Sequence, residues 1–138
     1  MADFSAPPVV AHLEAAAQGL EFPSETDAPL AVFFWPDAAP DLMPQAIAQR
    51  AGAKPDDPVE TREVEDFFSA ATTEEKWMKE KDLVGVRGFQ KLLALLQAEL
   101  TNLQVVVSGE NSLTAVVVGQ PKEGGQGLAG FTTTVVET

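Results

Sequence analysis

The stretch VVVSGENSLTAVVVGQPKEGGQGLAGFTTTVVET, residues 105–138, decides the fold of this chain. Val105–Val107 and Leu113–Val118 are short β-branched runs separated by Ser-Gly-Glu-Asn-Ser, and a glycine-rich loop from Gly119 to Gly127 leads to a third run that ends at Thr138. Apolar runs bounded by turn residues favour consecutive antiparallel strands. We therefore predict a three-stranded meander whose last strand continues to Thr138.

The expected last strand ends in oxygen-rich groups. Terminal residues usually fray unless a sheet holds them. A strand that ends with Glu137 and Thr138 would hold a carboxylate, a hydroxyl and the α-carboxylate at a defined place. Such a group is suited to ligate a hard cation or to fill a phosphate site.

Helical periodicity marks two segments upstream of the meander. Val10, Leu13, Ala17 and Leu20 are spaced as on one face of a first helix. The sequence Thr72-Thr-Glu-Glu75 matches a capping box, which predicts that a helix begins there. The longest apolar stripe follows it and consists of Leu83, Val86, Phe89, Leu92, Leu93, Leu96 and Leu100.

Shorter elements are expected between these helices. Leu30–Trp35 is almost wholly apolar, as in strands buried on both faces, so we predict a central strand. Glu21–Pro29 has two prolines and several polar residues, which predicts an irregular surface loop. Asp41–Ala51 suits a short helix, and Val59–Val64 suits a half-buried strand followed by a phenylalanine pair in the core.

The order of these elements predicts an α+β fold with one mostly antiparallel sheet and helices packed on both faces. A length of 138 residues favours one domain, residues 1–138. The formal net charge is −12, and residues 1–49 contain seven acids and no lysine or arginine. Nucleic-acid binding requires basic residues. The charge therefore favours either a basic protein partner or simple solubility, and disfavours direct contact with nucleic acid or an anionic membrane.

Most catalytic and cofactor patterns are absent from the sequence. There is no cysteine and only one histidine, His12, which lies off the apolar face of the first helix and is expected to be solvated. Gly125-Gln-Gly-Leu-Ala-Gly130 matches a dinucleotide fingerprint, but it precedes a strand instead of opening a helix, so we assign it to turn geometry. We expect no cofactor. We also expect a cytoplasmic protein, because a signal peptide and an apolar run long enough to span a membrane are both missing.

The two tryptophans differ in their surroundings. Trp35 lies among Phe33, Phe34 and Pro36 and is expected in the core. Trp77 lies in a charged stretch, where an aromatic residue either anchors its helix in the core or forms an interface hot spot. The sequence pattern leaves these two interpretations open.

Several segments together resemble the nuclease A inhibitor family, small proteins that block sugar-nonspecific DNA/RNA nucleases. The most specific of them are Asp66-Phe-Phe-Ser-Ala-Ala-Thr-Thr73 and the tail Val135-Val-Glu-Thr138. Supporting segments are Gly19–Glu25, Val32–Trp35, Trp77, Phe89–Leu93 and Leu128–Gly130. The resemblance implies a three-layer α/β/α sandwich similar to the plant pathogenesis-related-protein fold.

The resemblance also implies a mechanism and a partner. A loop glutamate, here Glu25, would take the place of the scissile phosphate, and the C-terminal threonine, here Thr138 beside Glu137, would reach the catalytic Mg²⁺ of the nuclease. The tryptophan before the long helix, here Trp77, would contact the partner. The implied protein is not an enzyme, is a monomer when free, and binds a nonspecific ββα-metal endonuclease.

The chain departs from the family pattern at Lys76, where an acidic residue is expected before the tryptophan. A lysine cannot ligate a cation and would repel a basic partner. An interaction domain with a different protein partner is therefore the main alternative. A carboxylate-based metal hydrolase is a further one.

Overall fold

The computed structural model describes residues 8–22, 28–38, 43–54, 56–110, 112–122 and 127–136. The helices within them are α1 (Pro8–Ala17), α2 (Pro44–Arg50), α3 (Val64–Thr72) and α4 (Glu80–Glu99). The strands are β1 (Glu21–Phe22), β2 (Ala28–Pro29), β3 (Ala31–Trp35), β4 (Val59–Arg62), β5 (Leu100–Glu110), β6 (Ser112–Pro121) and β7 (Leu128–Val136).

Five strands form one antiparallel sheet in the order β3-β7-β6-β5-β4. The predicted meander is confirmed as β5–β6–β7, in which Val117 lies between Val105 and Phe131 in register. Its strands are longer than the apolar runs because polar ends such as Thr101 and Gln120 also pair. The described part of the last strand ends at Val136, and residues 137–138 lie outside the described residues.

Helices cover both faces of this sheet. Successive strand residues point to opposite faces: Val105 and Val117 pack in a cluster with residues of α1, α3 and α4, whereas Val106 and Val116 pack against Ile47 of α2. The α+β sandwich with helices on both faces is therefore confirmed.

The two periodic helices are present. In α4 the residues Val86, Phe89, Leu92 and Leu96 are buried, which confirms most of the predicted stripe. Leu13 is fully buried on α1. These helices form because their apolar residues recur every three to four positions and so share one face.

The strand at residues 31–35 is at the edge of the sheet, so the prediction of a central strand was wrong. β3 pairs only with β7 among the described strands. Its side chains are nevertheless partly covered on both faces, since Val32 and Phe34 pack on one cluster and Phe33 and Trp35 on the other. An apolar run indicates that both faces of a strand are covered by other residues. It does not indicate whether the strand is hydrogen-bonded to another strand along each of its two edges.

The predicted helix start at Thr72–Glu75 was also wrong, because α3 ends there. The hydroxyl groups of Thr72 and Thr73 donate to the carbonyl oxygens of Phe68 at 2.8 Å and Ser69 at 2.6 Å. The Ser69 carbonyl is one of the last four of α3, which have no partner within the helix, so Thr73 satisfies a group that the helix end leaves free. The next helix begins at Glu80, where the Asp82 carboxylate accepts a hydrogen bond from the Lys79 N–H at 3.1 Å.

The two ends of the segment 21–29 form a short β-ladder, where the sequence predicted an irregular loop. Glu21 pairs with Pro29 and Phe22 with Ala28 in a two-stranded antiparallel ladder, and residues 23–27 lie outside the described residues. The helix expected within 41–51 is observed as α2, and residues 41–42 lie outside the described residues. The strand expected at 59–64 is observed as β4.

Gly130 is required by strand packing. A Cβ atom at this position would collide with the Val117 carbonyl oxygen on the adjacent strand. Gly127 directly precedes β7 with a φ of 78°, so the match leads into a strand and does not open a helix, as we predicted. Gly130 itself lies within β7, so it does not belong to the predicted turn. Among the described residues, no helix has the length and apolar character needed to cross a membrane.

Candidate functional site

The segments that carry Glu25 and Thr138 leave the described structure at the same end of the sheet. β3 and β7 are antiparallel: Trp35 at the end of β3 pairs with Leu128 at the start of β7, and Ala31 at the start of β3 pairs with Thr132 further along β7. The entrance to β3 and the exit of β7 therefore share one end. Glu25, Glu137 and Thr138 lie outside the described residues, so the structure shows only their anchoring strands.

Phe22 anchors the first of these segments. It is the last described residue before 23–27 and is only 4% exposed. Its ring stacks on Phe67 with centroids 4.6 Å apart and meets Phe89 edge-on at 5.7 Å. Aromatic pairs in such geometries add about 0.5–1.5 kcal/mol beyond their buried area. The segment 23–27 thus follows a residue that is buried against α3 and α4.

Thr133 anchors the other end of the same segment. Its hydroxyl group donates to the Pro29 carbonyl oxygen at 3.0 Å and lies 3.4 Å from that of Ala28. Because Thr133 belongs to β7, this buried contact ties the segment that follows residues 23–27 to the strand that leads to Thr138. Sequence analysis missed Thr133. The available signal was its position between Phe131 and Val135, two residues from each on one strand face.

Trp77 lies in the connection between α3 and α4 and is 71% exposed. This exposure rules out the core-anchor interpretation. Lys76 beside it is also exposed. Nearby, Arg87 and Glu74 form a loose, exposed ion pair at 3.8 Å, which contributes little to stability.

The topology places Trp77 towards the same end of the sheet. α4 has 20 residues and β5 has 11, so both are about 30–36 Å long. The chain reverses between them at Leu100, and α4 packs on the sheet through Phe89, Leu92 and Leu96. The start of α4 therefore lies near the end of β5, where Ser112 pairs with Val136.

The other tryptophan forms a separate cluster on the opposite face. Trp35 stacks on Phe33 at 4.1 Å, and the Arg50 guanidinium lies 5.2 Å from the Trp35 ring. Trp35 is half-buried, so the expectation of a core residue is met only in part. The hydrogen bond from Arg50 to Asp37, 2.7 Å long, holds the pKa of that exposed carboxyl below its ordinary value.

No group of three or more histidine, aspartate or glutamate side chains among the described residues could hold a metal ion. The expected solvated histidine, His12, is half-exposed and bonds through Nδ1 to Glu99 at 2.8 Å.

The geometry thus joins an anchored segment, a strand end and an exposed tryptophan at one end of a sandwich. No curated protein matches this chain. A family model described as "Nuclease A inhibitor-like protein" matches residues 7–138, which is nearly the full length. The chain therefore belongs to the nuclease A inhibitor-like protein family.

Proposed function

We propose that this protein is a stoichiometric, non-enzymatic inhibitor of a nonspecific ββα-metal nuclease. The observation that carries the proposal is the family match over residues 7–138. The arrangement of the described residues supports it, because Phe22 and Thr133 hold the chain on either side of residues 23–27 and Trp77 is exposed.

In this proposal Glu25 stands in for the scissile phosphate. A carboxylate accepts the same charge-assisted hydrogen bonds from an arginine as a phosphate does, and it contains no bond that the nuclease cleaves. Anchors at Phe22 and Thr133 on either side of residues 23–27 support this role. Binding loses less entropy when the contacting segment is held in advance.

Thr138, with Glu137 beside it, would supply oxygen atoms to the nuclease. Mg²⁺ prefers oxygen ligands and keeps several waters that an incoming ligand can replace. The metal in this proposal belongs to the nuclease and is contacted only in the complex. Val136, paired with Ser112, holds the strand two residues before Thr138.

Changes at the C-terminus test this assignment. We expect deletion of Thr138, or a short tag after it, to weaken inhibition at least about tenfold, which is ~1.4 kcal/mol. The deletion removes an oxygen ligand, whereas the tag must pass through the space around the metal. Inhibition constants for untagged, N-tagged, C-tagged and Thr138-deleted protein measure the effect, after circular dichroism has shown each to be folded. Equal potency of all four would give the C-terminus a structural role only.

The charge of the chain predicts fast, salt-sensitive association. A protein of net charge −12 is attracted at long range to a basic nuclease cleft. The Debye length falls from about 10 Å at 0.1 M salt to about 3 Å at 1 M. We expect the association rate constant to fall by about tenfold or more over that range, with a smaller change in the dissociation rate. Stopped-flow measurements decide this, and a salt-independent association rate would contradict electrostatic steering.

Lys76 favours a second candidate function, binding to a different protein partner on the same scaffold. Lys76 is exposed and directly precedes Trp77, which is proposed to meet the nuclease. Titration against a panel of purified ββα-metal nucleases separates the candidates. Inhibition at a one-to-one ratio supports the first. Folded protein that binds none of the panel supports the second.

A further inference from the structure

A groove of about 1200 Å³ lies where β4 turns into α3. Its acidic lining residues, all exposed, are Glu63, Glu65 and Asp66. Its apolar lining residues include the buried Phe67 and Val135 and the half-buried Leu103. An apolar surface edged by carboxylates fits side chains with an apolar stem and a cationic head, which are lysine and arginine.

The groove is negatively charged overall. Glu63 and Asp66 form no ion pair with another described residue, and Glu65 only accepts a weak hydrogen bond from Gln97 Nε2 at 3.4 Å. Arg62 is the one cation among the described lining residues, and its guanidinium donates to Glu60 at 2.7 Å. The carboxylates of Glu63 and Asp66 are therefore available to a basic partner.

The groove also reaches the proposed interface. Phe22 and Val136 both line it, and they directly precede residues 23–27 and 137–138. A molecule bound through those two segments would therefore pass close to the groove.

Asp66 is the one polar residue of the Asp66–Thr73 segment that lines this groove. The phenylalanines of the segment are in the core, and Thr72 and Thr73 close α3. Asp66 is exposed in the first turn of α3, where a carboxylate stabilises the helix slightly. Because Asp66 also lines the groove, its carboxylate can bind a cationic side chain there.

We propose that this groove is a second part of the nuclease interface and binds a lysine- or arginine-bearing segment of the nuclease outside the catalytic cleft. The proposal rests on the proposed function. In this arrangement the carboxylates of Glu63 and Asp66 hold the nuclease in addition to the segments at 23–27 and 137–138.

A pair of matched double variants tests the groove. Glu63→Gln/Asp66→Asn removes two charges from it, and Glu14→Gln/Asp56→Asn removes two exposed charges from elsewhere. Both variants have a net charge of −10 in place of −12, because each loses two acids. Long-range steering is therefore reduced by a similar amount in both, and any further difference reports contact at the groove. Glu63 makes no side-chain capping bond to α3, so its change spares the helix start.

The readout is the dissociation constant for a purified ββα-metal nuclease, with thermal melts of each variant. We expect the groove variant to bind about two- to thirtyfold more weakly than the control variant, the range for two exposed ion pairs of about 0.2–1 kcal/mol each. Equal binding by the two folded variants would overturn this inference and leave the inhibitor function standing. Failure of the unmodified protein to bind any nuclease of the panel would overturn both.

Discussion

Replacing Glu25 by alanine should weaken binding to the nuclease by about 2–5 kcal/mol, the range for removing one partner of a buried charge pair. The proposed contact puts the carboxylate against a cationic group in the nuclease active site, where water is excluded. Loss of the carboxylate leaves that cation without a partner. Isothermal titration with purified nuclease measures the change.

Two control variants make this result specific to the charge of Glu25. Glu25→Gln keeps the size of the side chain and removes the charge, so it should lose most of the same binding energy. Glu14→Ala removes an exposed acid from α1 and should change binding by less than about 0.5 kcal/mol. The melting temperature should be unchanged in all three. An unaltered dissociation constant for Glu25→Ala would remove Glu25 from the interface.

Replacing Phe68 by alanine should lower the free energy of unfolding by about 3–5 kcal/mol, as expected when a buried aromatic side chain is removed. Phe68 is fully buried. The centroid of its ring lies 5.4 Å from that of Phe67, 6.1 Å from that of Phe131 and 6.4 Å from that of Phe22. The substitution by alanine therefore leaves a cavity between α3, the sheet and Phe22.

Urea denaturation followed by circular dichroism measures this loss. Val84→Ala is a suitable control because Val84 is 64% exposed on α4, and its change should stay within about 0.5 kcal/mol. A loss below about 1 kcal/mol for Phe68→Ala would mean that the aromatic cluster is not closely packed.

Patterns within single elements were predicted from the sequence. The stripe on α4 and the alternation in β5–β7 depend on residues that are neighbours on one helix face or one strand face, so spacing alone reveals them. The burial of Phe67 and Phe68 was also predicted. The net charge of −12 is a property of composition and needs no fold.

For the candidate site, the residues were identified from the sequence, and the structure shows how the chain next to them is held. Glu25, Glu137 and Thr138 were identified through the family resemblance and lie outside the described residues. The structure adds the exposure of Trp77 and the bond from Thr133 to Pro29. That bond joins residues 104 positions apart, which no local pattern contains.

Only the tertiary structure decided where β3 lies and where α3 ends. The apolar run of β3 is explained by cover on its two faces. Its place at the sheet edge follows because, within the part of the chain that the structure describes, β3 pairs with β7 and with no other strand. Thr72 and Thr73 match a helix start in sequence, yet they bond back to the carbonyls of α3. In both cases one local sequence fits two structures, and long-range pairing and packing select between them because they contribute more free energy than local propensity does.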